Sequence, residues 1–302
     1  HGTGRVLFRN TRAKISGFPA RQVEAYPLAL PEPYQIEAES EKDPEQYLQP
    51  EEHYRRNAAS DQPAWWEFDP RLDWLSQLIR QHEGKKILLI CAKAQTAIEL
   101  EEYLRTREGI LSGVFHEKMS IVERDRAAAW FADPDEGTPL LVCSEIGSEG
   151  RNFQFSHHLV LFDLPMNPDL LEQRIGRLDR IGQLNTISIH VPYFENSATS
   201  IMFRWYHEGL NAFESTCPEG HIVFKQLEPA LRQALKDPEP EQNDILVNSA
   251  RDLALKTHEQ LEKGRDHLLE LSSCRQPQAN QFVEHIIETE FADELTRYID
   301  QL

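Results

Sequence analysis

The sequence predicts an α/β fold in which a parallel sheet is flanked by helices and followed by a C-terminal α-helical extension. Short apolar runs alternate with amphipathic segments from about residue 70 to residue 194, and the loops between them are short. The pattern changes to long helical stretches after residue 245. Strands that alternate with helices predict parallel pairing, because each crossover carries a helix over one face of the sheet.

Five strands and their helices follow from local patterns. The run KKILLICA, residues 85–92, is apolar throughout, as expected of a strand buried on both faces. Ser120 and Glu123 predict a capping box for a helix over 119–133, and Pro168 predicts the first turn of another helix. The other predicted strands cover 109–116, 139–144, 157–165 and 186–194, and the other predicted helices cover 70–82, 95–107, 199–216, 223–235, 245–273 and 280–302.

The flanking segments differ from this alternating region. Residues 31–61 are acidic and broken by prolines, which predicts a linker with short surface helices. Trp65 and Trp66 beside it are interpreted as packing residues, with base stacking as the alternative. The expected domains are a connecting segment with surface helices over 1–70, the α/β lobe over 71–215 and a helical extension over 216–302.

Composition excludes several classes. The 302 residues are 40% hydrophobic and 27% charged, and no apolar run approaches the roughly 20 residues of a membrane helix, so no membrane partner is expected. The cysteines have no zinc-ligand spacing with one another or with histidine, which favours a reducing cytoplasm and predicts no metal site. They are Cys91, Cys143, Cys217 and Cys274. Cys91 and Cys143 end apolar strands and are expected in the core.

Charge is distributed unevenly. The net charge of −18 argues against a uniformly basic nucleic-acid coat. Residues 1–23 nevertheless form a local basic track without an acidic residue, which includes Arg9, Arg12 and Lys14. This track is either a basic surface ribbon or a contact for phosphates.

Two segments carry the chemistry. The loop SEIGSEGRN, residues 144–152, follows a strand, and Gly147 and Gly150 would let a ligand approach the backbone, although a tight turn explains them equally well. Arg177 and Arg180 lie about one turn apart on a predicted helix, and guanidinium groups suit phosphate oxygens. Ion pairs of this helix with Glu172 and Asp179 are the structural alternative.

These segments resemble a known family when taken together. Residues 143–183 contain a serine-acid-x-Gly-x-x-Gly-x-Asn loop, then FD-x-x-x-NP, then Q-x-x-x-R-x-x-R-x-GQ. They resemble the fifth and sixth motifs of the Swi2/Snf2 branch of superfamily 2 helicase-like ATPases. Residues 85–95 and 115–131 resemble motif four and its following element, and 4–22 resemble the start of the second motor lobe. The resemblance implies a RecA-like second motor lobe.

The resemblance also implies roles for particular residues. Arg177 and Arg180 would be arginine fingers for ATP, and Gln173 would help to sense the γ-phosphate. Gly147 and Gly150 would face the nucleotide, with Glu149 toward the ribose. The implied double-stranded DNA contacts are Ser144 and the loop from His116 to Ser120, with Arg9, Arg12 and Lys14 as further contacts. His116 is equally well explained as a capped residue at a strand end. Asp179 is expected to orient Arg180.

Departures from the usual family motifs narrow the resemblance. Asp179 stands where most members have histidine, and Arg174 replaces a small residue. These variants resemble a bacterial branch that binds the RNA polymerase core and promotes its recycling. The implied location is the bacterial cytoplasm, in association with the nucleoid.

Half of an ATPase motor is absent from the sequence. There is no GxxxxGK[ST] phosphate loop and no DExH-type pair. ATP and Mg²⁺ are therefore expected to be held mainly by an N-terminal lobe upstream of His1, and the chain alone is expected to be inactive. The chain begins without methionine, which fits a piece of a longer protein. The alternatives are a lobe of another Swi2/Snf2 remodelling or repair translocase, or a docking module for RNA polymerase.

Overall fold

The computed structural model of the chain describes residues 18–35, 43–145 and 152–273. Six strands form one sheet in the order β1-β6-β5-β2-β4-β3, and every neighbouring pair is parallel. The predicted α/β class with a RecA-like parallel sheet is confirmed. The strands are β1 Arg21–Leu28, β2 Ile87–Cys91, β3 Ser112–Phe115, β4 Leu140–Ser144, β5 His158–Leu161 and β6 Ile187–Phe194.

Helices cover both faces of the sheet. Those in the described part of the chain are α1 Pro50–Asn57, α2 Pro70–Gln81, α3 Ala94–Thr106, α4 Ile121–Ala132, α5 Pro168–Ile175, α6 Ala198–Arg204, α7 Gly220–Lys236 and α8 Pro240–Ser273. The predicted capping box is present at the start of α4, where Ser120 accepts from the Glu123 amide and Glu123 accepts from the Ser120 amide. None of the described helices combines the length and the apolar character needed to cross a lipid bilayer.

The alternation of side chains along β2 produces two cores. Leu88 and Ile90 join a cluster with residues of α5, α6 and α7, whereas Ile87 and Leu89 join a second cluster with residues of α2 and α3. Successive side chains of a strand point to opposite faces, so a strand with helices on both sides is apolar at every position. Cys91 and Cys143 are fully buried in these clusters, which confirms their expected place.

The edge strand β1 was not predicted. Its sequence, RQVEAYPL, contains Arg21, Glu24 and Pro27, which do not resemble the apolar run of a central strand. Among the strands of the described residues it pairs with β6 alone, from Arg21 opposite Ile187 to Leu28 opposite Phe194. Proline is tolerated at a sheet edge, where one side of the strand needs no partner. Part of the expected connecting segment therefore completes the sheet.

The described parts of the acidic segment, residues 31–35 and 43–61, bury several of their side chains instead of exposing all of them to solvent. Short 3-10 turns at Glu32–Tyr34 and Pro44–Leu48 precede α1. Tyr34, Leu48 and Trp65 are each no more than 3% exposed. The indole of Trp65 donates a hydrogen bond to Oε2 of Glu99 at 2.6 Å. This placement agrees with the packing interpretation of Trp65.

The helices after the sheet share its core up to Ala254. The chain forms one compact unit that runs to Ala254 and a second over residues 255–302. In α7, Val223 and Leu231 are fully buried, and Ala250 of α8 is fully buried as well. The expected boundary at residue 215 falls inside the first unit. The predicted helix 199–216 is shorter than expected, because α6 gives way to one π-helical turn at Trp205–Gly209. The predicted helix 280–302 lies outside the described residues.

Candidate functional site

The carboxyl ends of β4 and β5 lead into two of the predicted motif segments. In open α/β sheets, ligands bind beyond these ends. Ser144 ends β4, and α5 begins shortly after β5. The predicted nucleotide-facing residues Gly147, Glu149 and Gly150 lie outside the described residues. The same holds for the predicted DNA contacts Arg9, Arg12 and Lys14.

The NP element of the second motif starts α5. The side chain of Asn167 accepts a hydrogen bond from the Asp169 amide at 2.9 Å, and Pro168 occupies the first turn. Asparagine is a preferred N-cap residue, and proline at the first position sacrifices no helical hydrogen bond. The motif therefore fixes the residue at which α5 begins and the direction of its N-terminus.

Arg177 and Arg180 lie beyond α5, contrary to the expectation that both are on a helix. The helix ends at Ile175, and single turns continue the chain, with the Arg177 amide bonded to the Arg174 oxygen and the Gln183 amide to the Arg180 oxygen. Gly182 then adopts φ +96°, which side chains other than hydrogen rarely permit. Gly182 therefore closes the last turn of this segment, between Arg180 and Gln183.

The two arginines differ in exposure as a result. Arg177 is 8% exposed, whereas Arg180 is exposed, and no ion pair to Arg180 occurs among the described residues. The main-chain oxygen of Arg177 accepts from the Phe153 amide at 2.9 Å, which places Arg177 beside the end of the glycine-containing loop. Gln173 is exposed on α5. Gln173 and Arg180 are thus exposed, whereas Arg177 is buried and bonded through its main chain to Phe153, just after this loop.

Arg174 belongs to the protein interior. It is 1% exposed, and its Nε donates to both oxygens of the Glu145 carboxylate at 3.1 and 2.9 Å. It also donates to the Asp163 main-chain oxygen at 2.6 Å and to the Asp163 carboxylate at 3.0 Å. The other Asp163 oxygen accepts from the Ala92 amide at 2.7 Å. One arginine therefore joins α5 to the ends of β2, β4 and β5.

These carboxylates keep Arg174 charged. Burial acts to lower the pKa of Arg174, but the charges of Asp163 and Glu145 and their hydrogen bonds outweigh burial and raise it. Arg174 departs from the small residue that the family resemblance expects. Its role was not predictable from local patterns, because its partners lie 11 and 29 residues away.

Glu172 and Asp179, the acidic residues near the arginine pair, bind Arg21. This differs from the expected ion pairs within their own helix and from the expected contact of Asp179 with Arg180. Nε of Arg21 donates to Oδ2 of Asp179 at 2.6 Å, and its terminal nitrogens donate to Glu172 at 3.0 and 2.6 Å. Asp179 therefore anchors the first residue of the edge strand. The expectation that it orients Arg180 is wrong in this structure. Arg21 is 7% exposed, and Asp179 is 5% exposed.

Arg71 of α2 is another buried arginine. Like Arg174, it contacts the chain just after the carboxyl end of β5. Arg71, 2% exposed, donates to the Asp69 carboxylate at 2.6 Å and to Glu51 at 2.9 Å. It also donates to the main-chain oxygen of Phe162 at 3.3 Å and lies over the Phe162 ring. Sequence patterns did not identify this group either, since it joins three separate segments.

The residues predicted to contact DNA from this lobe do lie together. Ser144 is 1% exposed, and its hydroxyl donates to the Glu117 carboxylate at 2.6 Å, which ties β4 to the loop after β3. His116 is 8% exposed, its Nδ1 accepts from the Lys118 amide at 3.2 Å, and burial lowers its pKa. Ser120 is exposed and caps α4. Glu117 was not predicted, and its negative charge sits where a phosphate contact was expected.

The groups at this edge suit a phosphate better than a metal ion. Arg180 offers an exposed guanidinium. The carboxylates Glu145 and Asp163, which could hold Mg²⁺, are already bonded to Arg174. The described residues thus fit a phosphate group better than a metal ion.

Comparison with known proteins agrees with this fold. The helicase conserved C-terminal domain matches residues 70–182, and the RNA polymerase recycling family C-terminal domain matches residues 186–302. The chain is 52% identical over 303 aligned residues to the RNA polymerase-associated protein RapA of Pseudomonas putida (strain GB-1), covering 100% of this chain and 32% of that protein. It is 51% identical to RapA of Stutzerimonas stutzeri (strain A1501), with the same coverage of both chains. The chain therefore spans about a third of the length of these relatives.

Solved structures show weaker similarity. The C-terminal part of the Fun30 ATPase domain is 17% identical, with a TM-score of 0.41 and coverage of 66% of this chain and 58% of that chain. The Sulfolobus solfataricus SWI2/SNF2 ATPase core in complex with dsDNA is 19% identical, with a TM-score of 0.41 and coverage of 54% and 35%. The chain thus resembles RapA along its whole length, with a match to the helicase conserved C-terminal domain followed by a match to the C-terminal domain of the RNA polymerase recycling family.

Proposed function

We propose that the chain is the second motor lobe of an ATP-dependent double-stranded DNA translocase that binds the RNA polymerase core and promotes its recycling and the reactivation of transcription. The observation that carries the proposal is the union of two domains in one chain, a helicase C-terminal domain over 70–182 and an RNA polymerase recycling C-terminal domain over 186–302. The bacterial cytoplasm, at the nucleoid, is the location that this function requires.

In the proposed reaction, ATP and Mg²⁺ are held mainly by the N-terminal motor lobe, and this lobe closes over the phosphates. Arg180 and Arg177 act as arginine fingers, which offset the negative charge that spreads over the transferring phosphoryl group. Gln173 contacts the γ-phosphate, and the loop with Gly147, Glu149 and Gly150 lies against the nucleotide. The exposure of Gln173 and Arg180 supports the roles given to these two residues.

Buried residues hold this surface in place in the proposed motor. Arg174 fixes α5 to the strand ends, and Arg21 fixes the turn that contains Asp179. Fixed positioning matters because a charged group accelerates phosphoryl transfer only when it already stands where charge develops. Both arginines therefore act as positioning residues without touching ATP.

DNA is proposed to pass along the loop from His116 to Ser120 and Ser144. The phosphate backbone would provide most of the contacts, which fits a motor that moves along DNA of any sequence. In this structure the Ser144 hydroxyl is bonded to Glu117, so a DNA phosphate would have to replace that carboxylate.

The experiment is a comparison of DNA-stimulated ATP turnover by this chain alone and by the same chain joined to its upstream lobe, with co-elution on RNA polymerase core as a second readout. Turnover and co-elution of the joined protein, with no turnover by the chain alone, are expected. Turnover without co-elution would favour a translocase with another cargo. Co-elution without turnover in the joined protein would favour the docking module.

A further inference from the structure

Three histidines that are distant in the sequence meet near the amino-terminal ends of the strands. His82 follows α2, His158 is the first residue of β5, and His190 lies on β6. One ring nitrogen from each lies within 4.8 Å of the other two. Nδ1 of His158 and Nε2 of His190 are 3.1 Å apart. Two imidazole nitrogens on one tetrahedral zinc ion stand about 3.4 Å apart, from bonds of about 2.05 Å.

We propose that His82, His158 and His190 bind a divalent transition metal ion of the zinc type. Imidazole nitrogen is a preferred ligand of zinc, and three protein ligands with a fourth, exchangeable position form an established type of zinc site.

Burial favours such a site over a solvated histidine cluster. His190 is 0% exposed and His158 is 6% exposed, whereas His82 is partly exposed. Two ligands are thus held by the sheet, and the third leaves a route for the ion and for a water molecule as the fourth ligand.

A second layer of hydrogen bonds aims one ring nitrogen of His190 into the cluster. The Tyr26 hydroxyl donates to Oε2 of Glu24 at 2.8 Å and lies 3.1 Å from Nδ1 of His190. Since the single hydroxyl proton goes to Glu24, Nδ1 of His190 is the donor to Tyr26. Nε2 of His190 then carries the lone pair, and it is this atom that faces His158. Zinc-bound histidines commonly donate their other nitrogen in this way.

One charged residue near the three histidines attracts a cation, and another repels it. The Glu24 carboxylate lies 3.5 Å from Nδ1 of His190 and attracts a cation. The positive charge of Lys85 acts on His158 and opposes a cation. A bound metal ion must therefore gain most of its affinity from the three nitrogen ligands, so the loss of one ligand should be decisive.

The test is titration of the metal-free 302-residue chain with Co²⁺, followed by displacement with Zn²⁺. Tetrahedral Co²⁺ absorbs visible light far more strongly than octahedral Co²⁺, so the spectrum reports the geometry as well as the stoichiometry. One equivalent with a tetrahedral spectrum is expected. The variant His82→Gln should weaken binding by more than about 100-fold, because even second-layer partners are worth about 10–100-fold. Tyr26→Phe should weaken it by about 10–100-fold.

His53→Gln is the matched control, because His53 is also partly exposed on a helix but lies outside the cluster. His82 is at the partly exposed end of α2, so the metal-free Tm of His82→Gln should match that of the unmodified chain, and only the rise in Tm on adding Zn²⁺ should disappear. The proposal is overturned by an absence of stoichiometric binding, by an octahedral spectrum, or by binding that survives His82→Gln or is lost equally in His53→Gln.

Discussion

The guanidinium of Arg174 donates to the main-chain oxygen of Asp163 at 2.6 Å and to the carboxylate of the same residue at 3.0 Å. This double contact joins α5 to the end of β5, and the bonds from Arg174 to Glu145 extend it to the end of β4. The exposed Arg180 thus follows a helix, α5, that the buried Arg174 and its carboxylate partners hold against the sheet.

Arg174→Ala should lower the free energy of unfolding by about 3–5 kcal/mol. The substitution leaves Asp163 and Glu145 without their buried cation, and removal of one member of a buried ion pair typically costs that amount. Urea denaturation measures the change. Arg105→Ala is the control, since Arg105 is exposed and pairs with Glu101 one turn away, which is worth less than about 1 kcal/mol. Equal effects of the two substitutions would contradict the role given to Arg174.

Gly182→Ala should lower the free energy of unfolding by about 1–2 kcal/mol. Gly182 has φ +96°, and a Cβ there meets no atom within 4 Å, so the cost arises from the backbone alone. Thermal unfolding measures it. A variant as stable as the original chain would show that the turn after Arg180 relaxes to an ordinary conformation.

Ser144→Ala should raise the pKa of the Glu117 carboxyl toward its ordinary value of 4.5. Partial burial acts to raise this pKa, but the hydrogen bond from Ser144 and a main-chain bond outweigh burial and lower it. NMR titration of the glutamate side chains measures the shift. Ser120→Ala is the matched comparison, because it should raise the pKa of Glu123 and leave that of Glu117 in place.

The lowered pKa of Glu117 also determines how the stability of the folded chain depends on pH. The ionised Glu117 contributes stability above pH 4.5, and the contribution is lost as the pH falls through the lowered, folded-state pKa. The acid limb of the stability curve should therefore change in Ser144→Ala, while stability above pH 4.5 falls. An unchanged acid limb would show that the Ser144–Glu117 bond does not persist in solution.

Glu117→Gln should strengthen the binding of double-stranded DNA by the whole protein by about fivefold at low salt. A carboxylate about 4 Å from a phosphate repels it by about 1 kcal/mol in water. Fluorescence anisotropy with labelled duplex measures affinity, and the gain should shrink as salt is added. Glu102→Gln, an exposed residue on α3, is the control. Weaker binding by Glu117→Gln would mean that DNA does not approach Ser144.

The strands and caps that were predictable depend on neighbours in the sequence. The central strand β2 is apolar at each position, and the box of Ser120 and Glu123 spans three residues. β1 was missed because an edge strand with Arg21 and Pro27 lacks that apolar signature. Its identity depends on pairing with β6, some 160 residues away, which no local pattern contains.

The site was predictable in its motifs but not in its geometry. The spacing of Arg177 and Arg180 suggested one helical face, yet α5 stops at Ile175, so one side chain is buried and the other exposed. Asp179 looked like a partner for Arg180, but it binds Arg21 of the edge strand. In each case the deciding contact comes from an element that is distant in the sequence.

DNA-stimulated ATP turnover by the whole protein with Arg180→Ala tests the central claim most directly. Arg180 is the more suitable of the two proposed fingers to remove, because Arg177 is buried and its loss would also disturb packing. Arg107→Ala is the control, since Arg107 is equally exposed but follows α3 at the opposite edge of the sheet. We expect kcat to fall by about 10³–10⁵ for Arg180→Ala with unchanged Tm, and not to fall for Arg107→Ala. Full turnover by Arg180→Ala would contradict the assignment of this edge as the nucleotide-facing surface of a motor lobe.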